Sequence, residues 1–324
     1  MTRLHPTAMI CRSLRLALLL SSLAFAQSHS SLEHKADPQA PLKKSHVVQV
    51  AMKNVMYHFT GPIAVHIVQL QGYLTPTNPS GIVAFDEKNS FVLHLASAEI
   101  AMRCDVLAQV LNENVFAAPD APIKALSIAS DGHQLIIKGK LHQKGDVTFE
   151  STGTLSVDQD GRVRVHTGHL KAAHLPLKGM LDLLGLNISR LISTDKVHGV
   201  AIDKDDLLLD PEQIFPPPQI KGRVTAVRVQ GGEIIQVFGE RQKPDFAAKQ
   251  PGNYMAYRDG DLRFGKLTMN DADLVLIDME PRDPFDFFLD HYKEQIAAGY
   301  TKTTLSLGLR VYTQDYDKLR PGRR

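Results

Sequence analysis

Tryptophan is absent from this chain of 324 residues, and aromatic residues together make up only 6%. A carbohydrate cleft of the usual stacking type is poorly supplied by such a composition. Cysteine is scarce too, with two residues, Cys11 and Cys104. Cys11 precedes an apolar run near the N-terminus, so it is not a lipobox cysteine. If that leader is removed, Cys104 stands alone and no intramolecular disulfide forms. Stability must then come from core burial, which a chain of about 300 residues can supply. The plain reading of Cys104 is a small buried apolar group. Catalytic signatures are missing as well: there is no Gly-x-Ser-x-Gly, no His-Glu-x-x-His and no P-loop. No enzyme activity and no cofactor are expected, although paired carboxylates meeting in a cleft would leave no trace in sequence spacing.

What is present begins with an export signal. "MTRLHPTAMICRSLR" is a basic leader, and "LALLLSSLAFA" is an apolar run of eleven residues, too short to span a bilayer. Ala24-Phe25-Ala26 fits the small-x-small cleavage pattern, so residues 1–26 read as a cleavable signal peptide. An uncleaved anchor is the alternative. The formal net charge is +2; losing Arg3, Arg12 and Arg15 with the leader brings it to about −1. That gives no electrostatic case for nucleic-acid binding, which needs a basic face. Residues 27–45, polar with two prolines, read as a flexible tether. The expected location is the periplasm or cell envelope.

From His46 the chain alternates apolar and polar residues in β-branched runs, the pattern of half-buried strands. Strands are expected over "VVQVAMKNVMYHF" and "IAVHIVQLQGYL" around "TGP", and on both sides of "DEKNS". "SAEIAM" finishes a strand, and "DVLAQVLNENVF" then reads as a helix with Asp105 as N-cap. Hairpins are expected across Asp131-Gly132, "DQDG" and Gly231-Gly232. "LPLKGMLDLLGLNISRLI" reads as a short helix from Pro176 and a second after Asn187. "VHGVAI" and "DDLLLD" are strands, and "FPPP" is a stiff extended linker. In the C-terminal part, Asp-Gly and Asn-Asp steps are expected to be turns. "DPFDFFLDHYKEQIAAGY" reads as a helix and "TTLSLGLRVYT" as one last strand. The expected division is residues 46–240 as a main domain, with residues 241–324 as C-terminal strands and a helix, either within that domain or beside it.

Polar clusters have ordinary explanations. His166 and His174 share a strand face but lie too far apart for common ligation, and His169 points away. Asp203, Asp205, Asp206, Asp210 and Glu212 open like a calcium loop but lack its glycine and its bidentate glutamate. If helical, Asp286 and Asp290 share a face, near Asp283 and His291, either as a cation or arginine site or as an acidic first turn favoured by the helix dipole. No metal site is expected.

The informative feature is two apolar helical segments among long antiparallel strands. Leu107, Val110 and Leu111 form one stripe, with Phe116 at its end. Leu177, Met180, Leu181 and Leu184 form a second. Such faces are core, cover a cavity, or meet a membrane. Lys178, Arg190 and Lys196 flank the second segment, either meeting phosphate head groups or snorkelling as surface cations.

The order of these parts over about residues 91–239 resembles the LmeA-like lipid-binding proteins of bacterial envelopes, a branch of the TULIP-like (BPI-like) fold. A strand runs into the short helix "EIAMRCDVLAQVLNENVF". Four antiparallel strands follow, then the proline-led "LPLKGMLDLLGL", then "GVAIDKDDLLLDPE" and the closing hairpin "IKGRVTAVRVQGGEIIQVFG". Residues 240–324 have no counterpart in that order. The pattern of runs is that of an α+β fold of long antiparallel strands with a C-terminal β/helix extension, and the resemblance implies that the antiparallel sheet is curved and wraps one or two short apolar helices. It implies an apolar groove for acyl chains, with a lipid or a membrane surface as partner. Two rivals stand beside it: a non-enzymatic assembly or structural protein whose partners are envelope proteins, and a hydrolase with carboxylates in a cleft.

Overall fold

The computed structural model describes residues 47–319 apart from 79–80, 143–145, 169–170, 173–174, 177–197, 205 and 241–250. The expected signal peptide and tether lie outside the described residues. So do the helices expected after Pro176, and with them Leu177, Met180, Leu181, Leu184, Lys178, Arg190 and Lys196.

Strands dominate. β1 (Val48–Thr60) and β2 (Ile63–Pro76) form a hairpin across Gly61-Pro62. After the two-residue β3 (Val83–Ala84), β4 (Phe91–Arg103) runs directly into α1 (Cys104–Val110), which continues as a π-helical turn, Leu111–Val115. Next come β5 (Ile123–Asp131), β6 (Gln134–His142), β7 (Asp146–Val157) and β8 (Val163–Thr167). β9 (Lys171–Ala172), β10 (Leu175–Pro176), β11 (Val200–Asp203) and β12 (Asp206–Leu209) are short. α2 (Pro211–Ile214) leads to β13 (Gln219–Lys221) and the hairpin of β14 (Val224–Gln230) with β15 (Glu233–Gly239). The chain ends with β16 (Tyr254–Phe264), β17 (Leu267–Asp278), β18 (Phe285–Phe288), α3 (Tyr292–Ala297), β19 (Tyr300–Thr303) and β20 (Leu309–Thr313).

These strands make two sheets. The larger follows the order β14-β15-β4-β2-β1-β16-β17-β20-β19, mostly antiparallel, and stays open at both edges. The smaller runs β10-β9-β7-β8-β12-β11, with β5 and β6 joined to it through β7. α1 packs on β5 and touches β2 and β4, so it sits where the two sheets meet. A single apolar cluster runs through both sheets and the helix. Residues 254–313 are not set apart, because β16 pairs directly with β1.

Strand β2 reaches its length by a register shift against β4 at Gly72, where an added Cβ would lie 2.0 Å from the carbonyl oxygen of His94. Only a residue without a side chain allows that approach.

Strands do flank "DEKNS", β3 before it and β4 after it, with β3 paired in parallel with β16. Other sequence expectations need correction. Asp105 is not the N-cap of α1. Arg103 holds that position, because the β4–β15 ladder carries on until the Cys104 amide donates to Gly232 O. Pro176 belongs to edge strand β10, where its missing N–H costs no ladder bond. Asp259-Gly260 and Asn270-Asp271 are not turns; the β16–β17 turn falls at Gly265-Lys266. Gly260 and Asp271 instead face one another inside the hairpin with left-handed φ of 60° and 65°. A Cβ on Gly260 would crowd Val47 O at 2.7 Å.

The segment expected as one helix from Asp283 begins as β18, in parallel with β1. Phe285 and Phe287 are fully buried at a period of two, and that packing overrides the helical pattern. Asp286 and Asp290 therefore share no helical face: Asp286 pairs with His58 at 2.6 Å and Asp290 with Lys88 at 2.7 Å. The expected last strand is two strands, β19 and β20, joined by a tight turn at 304–308.

Candidate functional site: an apolar cavity beneath α1

Asparagine 112 fixes the helix over the smaller sheet. β5 bulges between Lys124 and Ser127, with Ala125 left-handed, which takes Leu126 out of its ladder with β6. The Asn112 amide replaces those bonds, donating to Leu126 O at 2.8 Å and accepting from Leu126 N at 3.0 Å. The neighbouring Phe116 amide donates back to Leu111 O at 2.7 Å, closing the wide π turn. π turns inside helices often mark functional positions.

Under this turn lies a cavity of about 80 Å³. Leu107, Leu111 and Phe116 border it from the helix side. Ile123, Leu126, Ile128, Leu135 and Ile137 of β5 and β6 form one wall. Phe149, Ser151, Val165 and Thr167 of β7 and β8 form another, with Ile202, Asp206, Leu207 and Leu209 completing it; the Asp206 carboxylate is taken by Arg164 and His166. Three of the four sequence candidates among the described residues thus meet around one space. The fourth, Val110, is completely buried in the core but does not border it.

A water-sized molecule needs roughly 10–15 Å³ in this measure, so the space would hold several. Its walls offer too few polar partners to keep them, and apolar cavities of this kind stay dry. Ser151, 2% exposed, donates to the backbone oxygen of Thr152 at 3.1 Å.

At the start of α1 a solvent-open groove of about 530 Å³ adjoins the cavity, and Ile128 borders both. Arg103, Asp105, Ser130, Glu233 and the Gly231-Gly232 turn line this groove, with Cys104 at its base. Arg103 and Asp105 form a two-point ion pair, Nε to Oδ1 at 2.9 Å and Nη2 to Oδ2 at 2.5 Å. The Arg103 hydrogen bond outweighs partial burial and holds the Asp105 carboxyl below its ordinary value. Burial pushes the Cys104 thiol up, with the Asp105 and Glu233 charges adding to the effect. Cys104 is therefore a poor nucleophile at neutral pH. Sequence patterns do not show this groove, because Glu233 lies 130 residues along the chain from Arg103, the partner of Asp105.

The histidine and acid clusters prove to be local pairings. His166 Nδ1 lies 2.5 Å from Asp206 Oδ1, and Arg164 bridges Asp206 and Asp203 at 2.6 and 3.2 Å. Burial pushes the Asp206 carboxyl up, but hydrogen bonds from Arg164 and His166 outweigh it and leave it lowered. Asp210 caps α2 by accepting from Glu212 N, and Glu212 accepts from Gly222 N. Among the described residues no three potential metal ligands stand together. His169, His174 and Asp205 lie outside the described residues.

No family model, curated protein or solved structure matches the chain.

Proposed function

We propose that this is an exported protein of the bacterial envelope that binds or carries a lipid, taking an acyl chain into the cavity beneath α1. The cavity carries the reading. Leu107, Leu111 and Phe116 meet there with aliphatic side chains from β5, β6, β8, β11 and β12. Each buried methylene contributes about 0.8 kcal/mol, so chain binding needs no polar cluster. In this reading the smaller sheet curves round the helix and the chain lies along it. The head group sits in the adjoining groove, beside Arg103, Ser130 and Glu233. With Arg103 engaged by Asp105, the surplus charge of the groove is the Glu233 carboxylate. A head group with an amine beside its phosphate therefore suits it better than a purely anionic one.

The experiment is native mass spectrometry of protein purified from its host's membrane fraction, followed by lipid extraction and titration with a fluorescent fatty acid. Co-purified lipid and saturable probe binding support the reading. Protein free of lipid that also fails to bind the probe removes it.

A further inference from the structure

Among the described residues, the most exposed large apolar side chains are two leucines in a single turn. Leu305 is 108% and Leu307 85% exposed, at the tip between β19 and β20. A soluble surface normally scatters its exposed apolar residues singly. These two are held out by a turn with its own hydrogen bonds. Thr304 N donates to Gly308 O at 2.8 Å, Gly308 N to the Thr304 hydroxyl at 2.9 Å, and Leu307 N to Thr304 O at 3.0 Å. Leu307 takes a left-handed φ of 64° to complete it, a conformation that disfavours a leucine. A turn so fixed loses little conformational freedom when its side chains are buried by something else.

Behind the tip, one face of the hairpin carries Tyr300 stacked on Tyr312, ring centroids 4.5 Å apart. The Lys302 ammonium lies over both rings, 5.4 and 5.1 Å from their centroids. From Gln295 to Gln314 the chain has Lys302 and Arg310 and no acidic residue. Arg310 is engaged by Asp273 at 3.0 Å, which leaves Lys302 as the cation free to meet an outside charge. Leucines at the tip, with tyrosines and a lysine one step behind, match the layering of a membrane interface. Apolar side chains enter the acyl boundary there, while aromatic rings and amines stay at head-group level.

We infer that the β19–β20 turn docks the protein on an anionic lipid surface, through Leu305 and Leu307 inserted and Lys302 at head-group level. The site stands apart from the cavity. β19 is the opposite edge of the larger sheet from the β14–β15 hairpin that borders the groove of α1. Docking and acyl binding can therefore be measured separately.

The test is co-sedimentation of the full chain with vesicles of phosphatidylglycerol and phosphatidylcholine, and with phosphatidylcholine alone. The anionic vesicles should bind more protein, and added salt should weaken the difference. Leu305→Ser and Leu307→Ser should each lower vesicle affinity about tenfold. Lys302→Gln should remove the preference for anionic vesicles. All three variants should keep their native melting temperature and their binding of a soluble fluorescent fatty acid. Unchanged vesicle binding by the doubly substituted protein overturns the inference. So does a wild-type protein that ignores vesicles but self-associates through the turn, which would make the tip a protein contact.

Discussion

Filling the cavity separates a binding site from a packing defect. Ser151 is the side chain to change, because it is buried, points into the space and makes one hydrogen bond to an adjacent backbone oxygen. Unfilled apolar volume costs about 24 cal/mol per Å³. For the 80 Å³ present here, the full cost is about 2 kcal/mol. Ser151→Val fills part of that volume and Ser151→Leu more, so stability should rise in that order by about 1–2 kcal/mol at most. For a protein of this size that is a gain of a few degrees in Tm. Urea unfolding should show a higher midpoint with an unchanged slope. Affinity for a fluorescent fatty acid should fall in the same order, by tenfold or more for Ser151→Leu. If both variants are more stable yet bind the probe as well as wild type, the chain does not enter this cavity. If both are destabilised, the walls already match the volume and leave no space for an acyl chain.

The groove makes a second prediction: Arg103→Ala and Glu233→Gln should each weaken binding of short-chain phosphatidylethanolamine several-fold more than binding of a plain fatty acid, as read by probe displacement, with Tm unchanged. Alkaline stability should be governed by tyrosines. Burial raises Tyr57 and Tyr257 well above the ordinary phenol value, and burial with Asp86 nearby pushes Tyr292 up to about 12. Their folded-state values exceed the unfolded one, so the stability they contribute is complete below pH about 10 and is lost as pH rises through and beyond it. An absorbance titration should show these phenols ionising together with loss of the fold; all eight tyrosines titrating near pH 10 in a folded protein would contradict this. Asp206, with its lowered value, works in the opposite sense: its contribution is present above pH about 4 and lost as pH falls below it. Asp206→Asn should therefore cost stability at pH 7 in urea unfolding, with the deficit shrinking under more acid conditions. Phe287→Ala, at a fully buried position in β18, should cost about 3–5 kcal/mol.

Strand content and hairpins were legible because their signals are local. Asp131-Gly132 and Gly231-Gly232 join alternating runs, and both form the expected turns. The same dipeptide misleads at Asp259-Gly260, where alternation continues on both sides and the left-handed residues kink a long hairpin. Local chemistry there is compatible with a turn; the pairing of β16 with β1, whose partner residues such as Gln49 and Arg258 stand far apart in the chain, decides otherwise. β18 is a similar case. "PFDFFLDHY" carries apolar residues that serve either period, and a vacant edge beside β1 selects the strand. Tertiary partners supply what a window of the sequence cannot.

The cavity is harder still to read, because a leucine that lines a void and one that fills a core are the same letter. Leu107 and Leu111 were placed by helical spacing, yet Val110 fits the same stripe and packs solidly. What distinguishes the two faces is what stands opposite them. The inward positions of β7 read Phe149, Ser151, Gly153 and Leu155, so two small residues interrupt a bulky row. The place left at Gly153 is taken up, since an added Cβ would meet Val165 at 3.0 Å and Ile137 at 3.4 Å. At Ser151 no neighbour closes in, and the missing volume appears as the cavity. A small polar residue at an inward strand position facing a leucine stripe was thus the one signal available. Its meaning depends on whether neighbouring side chains collapse into the gap, which is decided by packing across β5, β6 and α1.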